Sequence, residues 1–310
     1  MGKIAGELQQ ALAQRTFEGT AGRMLARPLA EGDGWSVADV LCTHGPRDRP
    51  FEEQHSGTCI AMVAAGAFGY RCAAGQALLT PGALMLGEAG ACFECGHRHG
   101  AGDRCLAFHY APAHFERLAA DAGVASGGLK FRHARIPPLR LLAPVIARAC
   151  AGVVQTSGPD ATPWNELAIE LAAATLQAAG ALTRPAADAG AAASSRVAQT
   201  VRLIDASPEA PHTLGSLACA AGLSEFYFLR TFQRVTGVTP HQYVLRARLR
   251  AAALQVAGDT ARIVDIALAC GFNDLSNFNH AFRQEFEVSP RVWRNRAARS
   301  RRAPVKARAI

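Results

Sequence analysis

The chain lacks any long apolar run free of charge. The nearest candidate, Leu171 to Thr183, holds 13 residues, whereas a membrane-spanning helix needs about 20. No helix is therefore expected to cross a bilayer. The opening residues, MGKIAGELQQALAQR, have no apolar core followed by a small-residue cleavage site, so no secretory signal is read there and a cytoplasmic location is expected. Nine cysteines without an export signal point to a reducing compartment and free thiols. Acid is also missing from one place: Arg291 to Arg308 carries eight Lys and Arg and no Asp or Glu. Residues 196–310 hold 17 Lys and Arg against 8 Asp and Glu, while residues 1–195 hold 16 against 17. All the excess positive charge sits in the C-terminal third. That favours a polyanionic partner for this part, although a solvated basic surface has the same composition.

What is present divides into parts. Residues 1–15 have the pattern of a short amphipathic helix. From Gly34 to about Tyr110, short apolar runs (TCIAMVAAG, AFGYRC, ALLTPGALMLG, RCLAFHY) alternate with Gly and Pro turns, which predicts a small all-β sandwich or barrel. Pro112 to Gly123 and Leu139 to Gly180 are rich in Ala and Leu at helical spacing, the second region breaking near TSGPDATP into two helices. Residues 184–195 have no periodicity and are expected to be a linker. Everything after Arg196 has a helical pattern.

That helical region repeats itself. Leu217-Ala218 and Gly222-Leu223 match Ile266-Ala267 and Gly271-Phe272 at an offset of 49. Beyond the turn the offset becomes 50: Phe228 matches Phe278, Phe232 matches Phe282, Thr239-Pro240 matches Ser289-Pro290, and Tyr243 matches Trp293. One residue has been added in the second turn. Each unit predicts a helix ending at a left-handed glycine, Gly222 or Gly271, and a second helix capped by Ser224 or Asp274. Two helices at a steep angle around a glycine turn make a helix-turn-helix. With Phe228 and Phe232, or Phe278 and Phe282, turned inward, the outer face of the second helix offers Phe226, Leu229, Arg230 and Gln233 in copy one. In copy two it offers Ser276, Asn279, His280 and Arg283. Arg, Asn, His and Gln carry the donors and acceptors that read base edges in a major groove. A lone copy is as readily a structural helical hairpin; two copies in a basic domain favour double-stranded DNA.

The stretch GFNDLSNFNHAFRQEFEVSPRVWR, with GVTPHQYVLRARLRAAALQV ending the first copy, resembles the signature of the AraC/XylS family of bacterial transcription regulators. The resemblance covers roughly 196–298 and implies two recognition helices in adjacent major grooves, joined by a long helix at residues 241–258. It implies base-facing roles for Phe226, Leu229 and Arg230, then Leu275, Ser276, Asn279 and His280. Phe226, Leu229 and Leu275 cannot hydrogen bond, so they either meet thymine methyls or leave copy one less discriminating. FEEQHSGTCIAMVAAGAFGYRCAAGQALLTPGALMLG resembles, more loosely, the family's cupin-like effector domain. The expected fold is thus mixed α and β in two domains. Residues 1–183 form a cupin-like barrel (about 34–110) with helices (about 112–180). After the linker, residues 196–298 form the double helix-turn-helix domain and 299–310 a basic tail. The resemblance further implies an effector, small-molecule or metal, a homodimer through helices 139–180, and activation through RNA polymerase. By their pattern alone, those helices equally suit packing back on the barrel. The function expected is a sequence-specific DNA-binding transcription regulator that is not an enzyme. The alternative is an enzyme fused to a DNA-binding unit, either a cupin oxygenase or a cysteine methyl acceptor. Catalytic cupins hold a metal with two or three His and a carboxylate, and His55 has no His-x-His beside it.

One cluster stands apart: CFECGHRHGAGDRC, Cys92 to Cys105. In an extended strand Cys95, His97 and His99 share one face and Cys92 takes the other. Thiolate and imidazole suit zinc or copper, with Cys105 or His55 completing four-coordination from a neighbouring strand. Ordinary core cysteines and turn histidines would give the same letters.

Overall fold

The computed structural model of the protein describes residues 2–98, 100–124, 130–154, 162–182, 190–258 and 260–300. Its N-terminal part is sheet-rich and its C-terminal part helical. Helix α1 (Gly2–Glu18) leads into β1 (Met24–Gly32), β2 (Trp35–Cys42), β3 (Phe51–Gln54), β4 (Thr58–Gly66), β5 (Phe68–Cys72), β6 (Gly75–Leu79), β7 (Leu84–Gly87), β8 (Cys92–Gly96) and β9 (Asp103–Tyr110). Helix α2 (Pro112–Asp121), the short β10 (Arg135–Ile136), and the helices α3 (Ala143–Val154) and α4 (Trp164–Ala181) follow. The strands form two antiparallel sheets, ordered β1-β2-β9-β4-β7-β10 and β3-β8-β5-β6. The sheet region thus begins at Met24, before the expected Gly34. In β1, Pro28 sits beside a register shift and most side chains are exposed, as an edge strand allows. No apolar alternation marked it in the sequence.

Strand β4, inside the larger sheet, is buried on both faces, which is why TCIAMVAAG does not alternate. Along β4, Ile60 and Met62 join Leu106 and Phe108 beneath α1, α3 and α4. The alternate positions Cys59, Ala61, Val63, Cys105 and Ala107 face the smaller sheet, meeting Phe68, Tyr70 and Cys95. Period-two geometry sends neighbouring residues to opposite cores. On the helix side, Arg104 Nε and Nη2 donate to the two carboxylate oxygens of Asp39, each at 2.8 Å. Glu7 of α1 lies 2.6 Å from Arg104 Nη1. Tyr110 donates to the Ala168 carbonyl at 2.7 Å, joining β9 to α4.

The C-terminal part comprises α5 (Ala191–Ala206), α6 (Leu214–Ala220), α7 (Glu225–Thr236), α8 (Pro240–Gly258), α9 (Ile263–Ala269), α10 (Leu275–Phe286) and α11 (Pro290–Ser300). Helix α5 starts inside the stretch expected as a linker. Of residues 184–195, only 190–195 are described, and Ala191 onward is helical. The basic tail lies outside the described residues except 299–300. Helix α8 belongs to two cores. Its first half buries Tyr243, Val244 and Ala247 with Phe228 and Phe232. Its second half buries Leu249, Ala252 and Val256 with Phe278 and Phe282. Arg248 fastens it between the units by donating to the carbonyls of Pro208, Ala210 and Gly271 at 2.8–2.9 Å.

The helices of 139–180 pack inward. Leu167 and Leu171 of α4 enter the core over the larger sheet, and Ala143 and Ala147 of α3 join the second C-terminal core. Arg246 of α8 also donates to the Pro138 carbonyl at 2.6 Å. Among the described residues, no helix is long and apolar enough to cross a membrane.

Candidate nucleic-acid interface

Each repeat folds as its sequence pattern predicts. Helix α6 starts with a reciprocal cap, the Thr213 and Ser216 side chains each bonding the other's backbone N–H at 3.0 Å. It ends before Gly222, whose φ of 63° is left-handed. Helix α9 ends before Gly271, φ 83°, where an added Cβ would stand 2.6 Å from the Glu209 carbonyl oxygen. Both conformation and space demand glycine there. The following helices are capped as expected. The Ser224 hydroxyl accepts from the Tyr227 N–H, and the Asp274 carboxylate accepts from the Ser276 and Asn277 N–H groups at 3.0 and 2.9 Å. The copies differ at the far end. Helix α7 stops at Gly237, φ 83°, whereas α10 stops at Glu287, φ 62°, the sole non-glycine positive φ among the described residues. That conformation costs a residue with a Cβ about 1–2 kcal/mol.

Phe228, Phe232, Phe278 and Phe282 are wholly buried, which turns the opposite faces of α7 and α10 to solvent. On α7, Phe226 is 70% exposed, Arg230 and Gln233 are exposed, and Leu229 is half-buried. On α10, Leu275, Ser276, Asn279, His280 and Arg283 are all exposed. Two features were missed in the sequence. Tyr227 is 53% exposed beside Phe226. The Arg230 guanidinium lies 5.6 Å from the Phe226 ring centroid, a cation–π contact that holds the arginine along the helix surface. An i, i+4 Phe–Arg spacing was the available signal. Near its C-terminal end α10 is tied down: buried Glu285 pairs with Arg246 at 3.3 Å, and exposed Gln284 accepts from Arg140 at 2.6 Å.

The expected metal ligands are only partly brought together. Cys95 and His97 are buried between the sheets as the alternation predicts, and Cys92 is exposed. His99 lies outside the described residues. His55 does not join them. Tyr70 gives its proton to the Leu86 carbonyl at 2.9 Å, so His55 Nε2–H donates to the Tyr70 oxygen at 3.1 Å. Its ring stacks on Phe93 at 4.1 Å. Burial, with a smaller contribution from His109, lowers its pKa to about 4. Cys105 is close, its thiol donating to Asp103 Oδ2 at 3.2 Å. The partners that the sequence did not reveal are Cys42 and Asp103, direct neighbours in the β2–β9 register. His97 Nε2 lies 2.6 Å from Asp103 Oδ1. Burial and the Asp103 charge push the Cys42 thiol up to about 12.

A tandem helix-turn-helix with two capped, outward-facing second helices is the class these residues define. Residues 217–296 match the family model described as a helix-turn-helix domain. The regulatory protein SoxS of Salmonella typhimurium is 31% identical over 31% of this chain and 90% of its own length. The regulator MtrA of Neisseria gonorrhoeae is 27% identical over 32% of this chain and 33% of its own. The chain spans about a third of the length of the first curated relatives it matches, MtrA among them. A solved AraC-type DNA-binding-domain regulator from Chromobacterium violaceum is 31% identical, covering 33% of this chain and 92% of that one, with a TM-score of 0.32. The chain belongs to the AraC family of transcription regulators.

Proposed function

We propose that the protein binds double-stranded promoter DNA through α7 and α10 and regulates transcription in response to an effector held by its N-terminal part. The observation that carries this reading is the paired arrangement of α7 and α10. Arg230 and Gln233, then Asn279, His280 and Arg283, stand exposed on faces opposite four buried phenylalanines. In this reading residues 1–183 are the effector domain and 196–298 the DNA-binding domain. Base edges are met by Phe226, Leu229, Arg230 and Gln233 from α7, and by Leu275, Ser276, Asn279, His280 and Arg283 from α10. RNA polymerase is the partner in activation, and the site of action is the cytoplasm. A homodimer through residues 139–180 would use their exposed apolar side chains, Leu141 and Ile169. The alternative of a cupin oxygenase gains no support from His55, whose ring is engaged by Tyr70 and Phe93.

The test is the affinity of the full chain for a selected duplex across a salt series. Six to ten phosphate contacts predict a loss of about 10³-fold or more between roughly 50 and 200 mM salt, because counterions are released on binding. Affinity that ignores salt, or a failure to enrich any duplex from a random pool, would remove this reading.

A further inference from the structure

We infer that Cys42, His97 and Asp103 form a binding site for one thiophilic divalent cation of the zinc class, whose occupancy is the signal this regulator reads. The second clause rests on the function proposed above; the site itself does not. Cys42 ends β2, Asp103 begins β9 opposite it, and His97 follows β8 in the other sheet. One donor atom from each lies within 4.8 Å of the other two, and all three residues are buried. Sequence alternation singles out His97, and the cross-strand register supplies the other two donors.

A second observation points to a ligand. His97 is 4% exposed, and its Nδ1 is buried without a hydrogen-bond partner. A buried polar atom left unpaired is unfavourable unless something binds it. Nε2 lies 2.6 Å from Asp103 Oδ1, so imidazole and carboxylate already converge, and a cation held by both takes the place of that contact. Further donors stand close by. The Cys105 thiol is on Asp103 Oδ2, and His44 Nδ1 is 3.2 Å from Cys42 Sγ, its ring stacked 6.2 Å from that of His97. The charges also close. Binding M²⁺ releases the Cys42 thiol proton to solvent, leaving thiolate, carboxylate and neutral imidazole around the cation with no net charge to bury. Sulfur, nitrogen and oxygen donors together suit zinc or cobalt better than magnesium or calcium, which prefer oxygen alone.

The experiment is titration of the full chain with Co²⁺ and then Zn²⁺. One equivalent of Co²⁺ is expected, with a thiolate-to-cobalt charge-transfer band that Zn²⁺ abolishes. Cys42→Ser, His97→Gln and Asp103→Asn should each weaken binding at least tenfold, while the exposed-cysteine controls Cys92→Ser and Cys219→Ser bind as wild type. Folding of each variant is checked by circular dichroism. Should a variant not fold, X-ray absorption of the zinc-loaded wild type still decides, a mixed shell containing sulfur being expected. A shell without sulfur, no stoichiometric binding, or unchanged binding in folded His97→Gln and Asp103→Asn would overturn the site. In the second arm, zinc should shift affinity for a selected duplex about fivefold or more. Binding of metal without that shift would overturn the signalling role and leave the site standing. Absence of any DNA binding would instead count against the proposed function.

Discussion

Phe282→Ala is expected to destabilise the second helix-turn-helix unit by about 3–5 kcal/mol and to abolish binding by α10. Phe282 is wholly buried. Its ring lies 5.5 Å from Phe278, 4.6 Å from Phe286 and 6.2 Å, edge-on, from Trp293. These rings share a core with Leu249 and Val256 of α8, and Trp293 is pinned by its Nε1–H on the Ala253 carbonyl at 3.1 Å. The neighbours named are mostly rings packed against one another, so most of the cavity cost should remain. Phe226→Ala is the matched control. Its ring is exposed, so stability should change by about 0.5 kcal/mol or less. Denaturant unfolding of both variants checks this. Equal stabilities would mean that the phenylalanine repeat does not hold the units together.

Arg104→Ala should cost a similar amount, about 3–5 kcal/mol, by a different route. It strands the Asp39 carboxylate in the interior with Arg27 as its remaining cation, and the Arg27 side chain is 54% exposed. Burial would raise the Asp39 pKa, but the hydrogen bonds and charge of Arg104 and Arg27 outweigh it and hold the group below its ordinary value. The sign follows. A carboxylate with a depressed folded pKa contributes fully above its unfolded pKa, about 4, and loses that contribution as pH falls through the folded value. The penalty of Arg104→Ala should be full at neutral pH and should shrink with acid from above about 4, because burial raises the pKa of the stranded Asp39 and the carboxyl takes up a proton early. Replacing both partners by apolar residues, Asp39→Leu with Arg104→Met, should recover much of the loss. Unfolding at neutral and acid pH measures it; a penalty unchanged by acid would show that lost packing, not the stranded charge, is responsible.

The C-terminal part was legible because its signals are local. A glycine at φ above zero, a capping Ser or Asp and a Phe pair at i and i+4 each act within one turn of helix, and duplication states them twice. The extra residue in the second turn is visible as Asn273 between Phe272 and the cap Asp274. The cation–π contact of Arg230 was less visible, since one pair of letters does not fix a rotamer. In the N-terminal part, alternation along β8 puts Cys95 and His97 on one face, and both are buried. It could not show that Cys42 and Asp103 face each other, because residues 61 positions apart meet only through the β2–β9 register. His55 was misassigned for the same reason: its neighbours, Tyr70 and Phe93, come from β5 and β8. The linker was misplaced because small residues such as Ala191 to Ala193 lack apolar periodicity yet favour helix strongly.

Base reading by α10 is tested by selecting duplexes from a random pool with the wild type, Asn279→Ala and Arg291→Ala. Asn279 stands exposed on the outer face of α10, and Arg291 is exposed in the first turn of α11. Asn279→Ala should relax preference at one base position by about 1–3 kcal/mol. Arg291→Ala should lower affinity for all sequences alike. An Asn279→Ala protein that selects the wild-type motif with unchanged preference at every position would contradict base reading by α10.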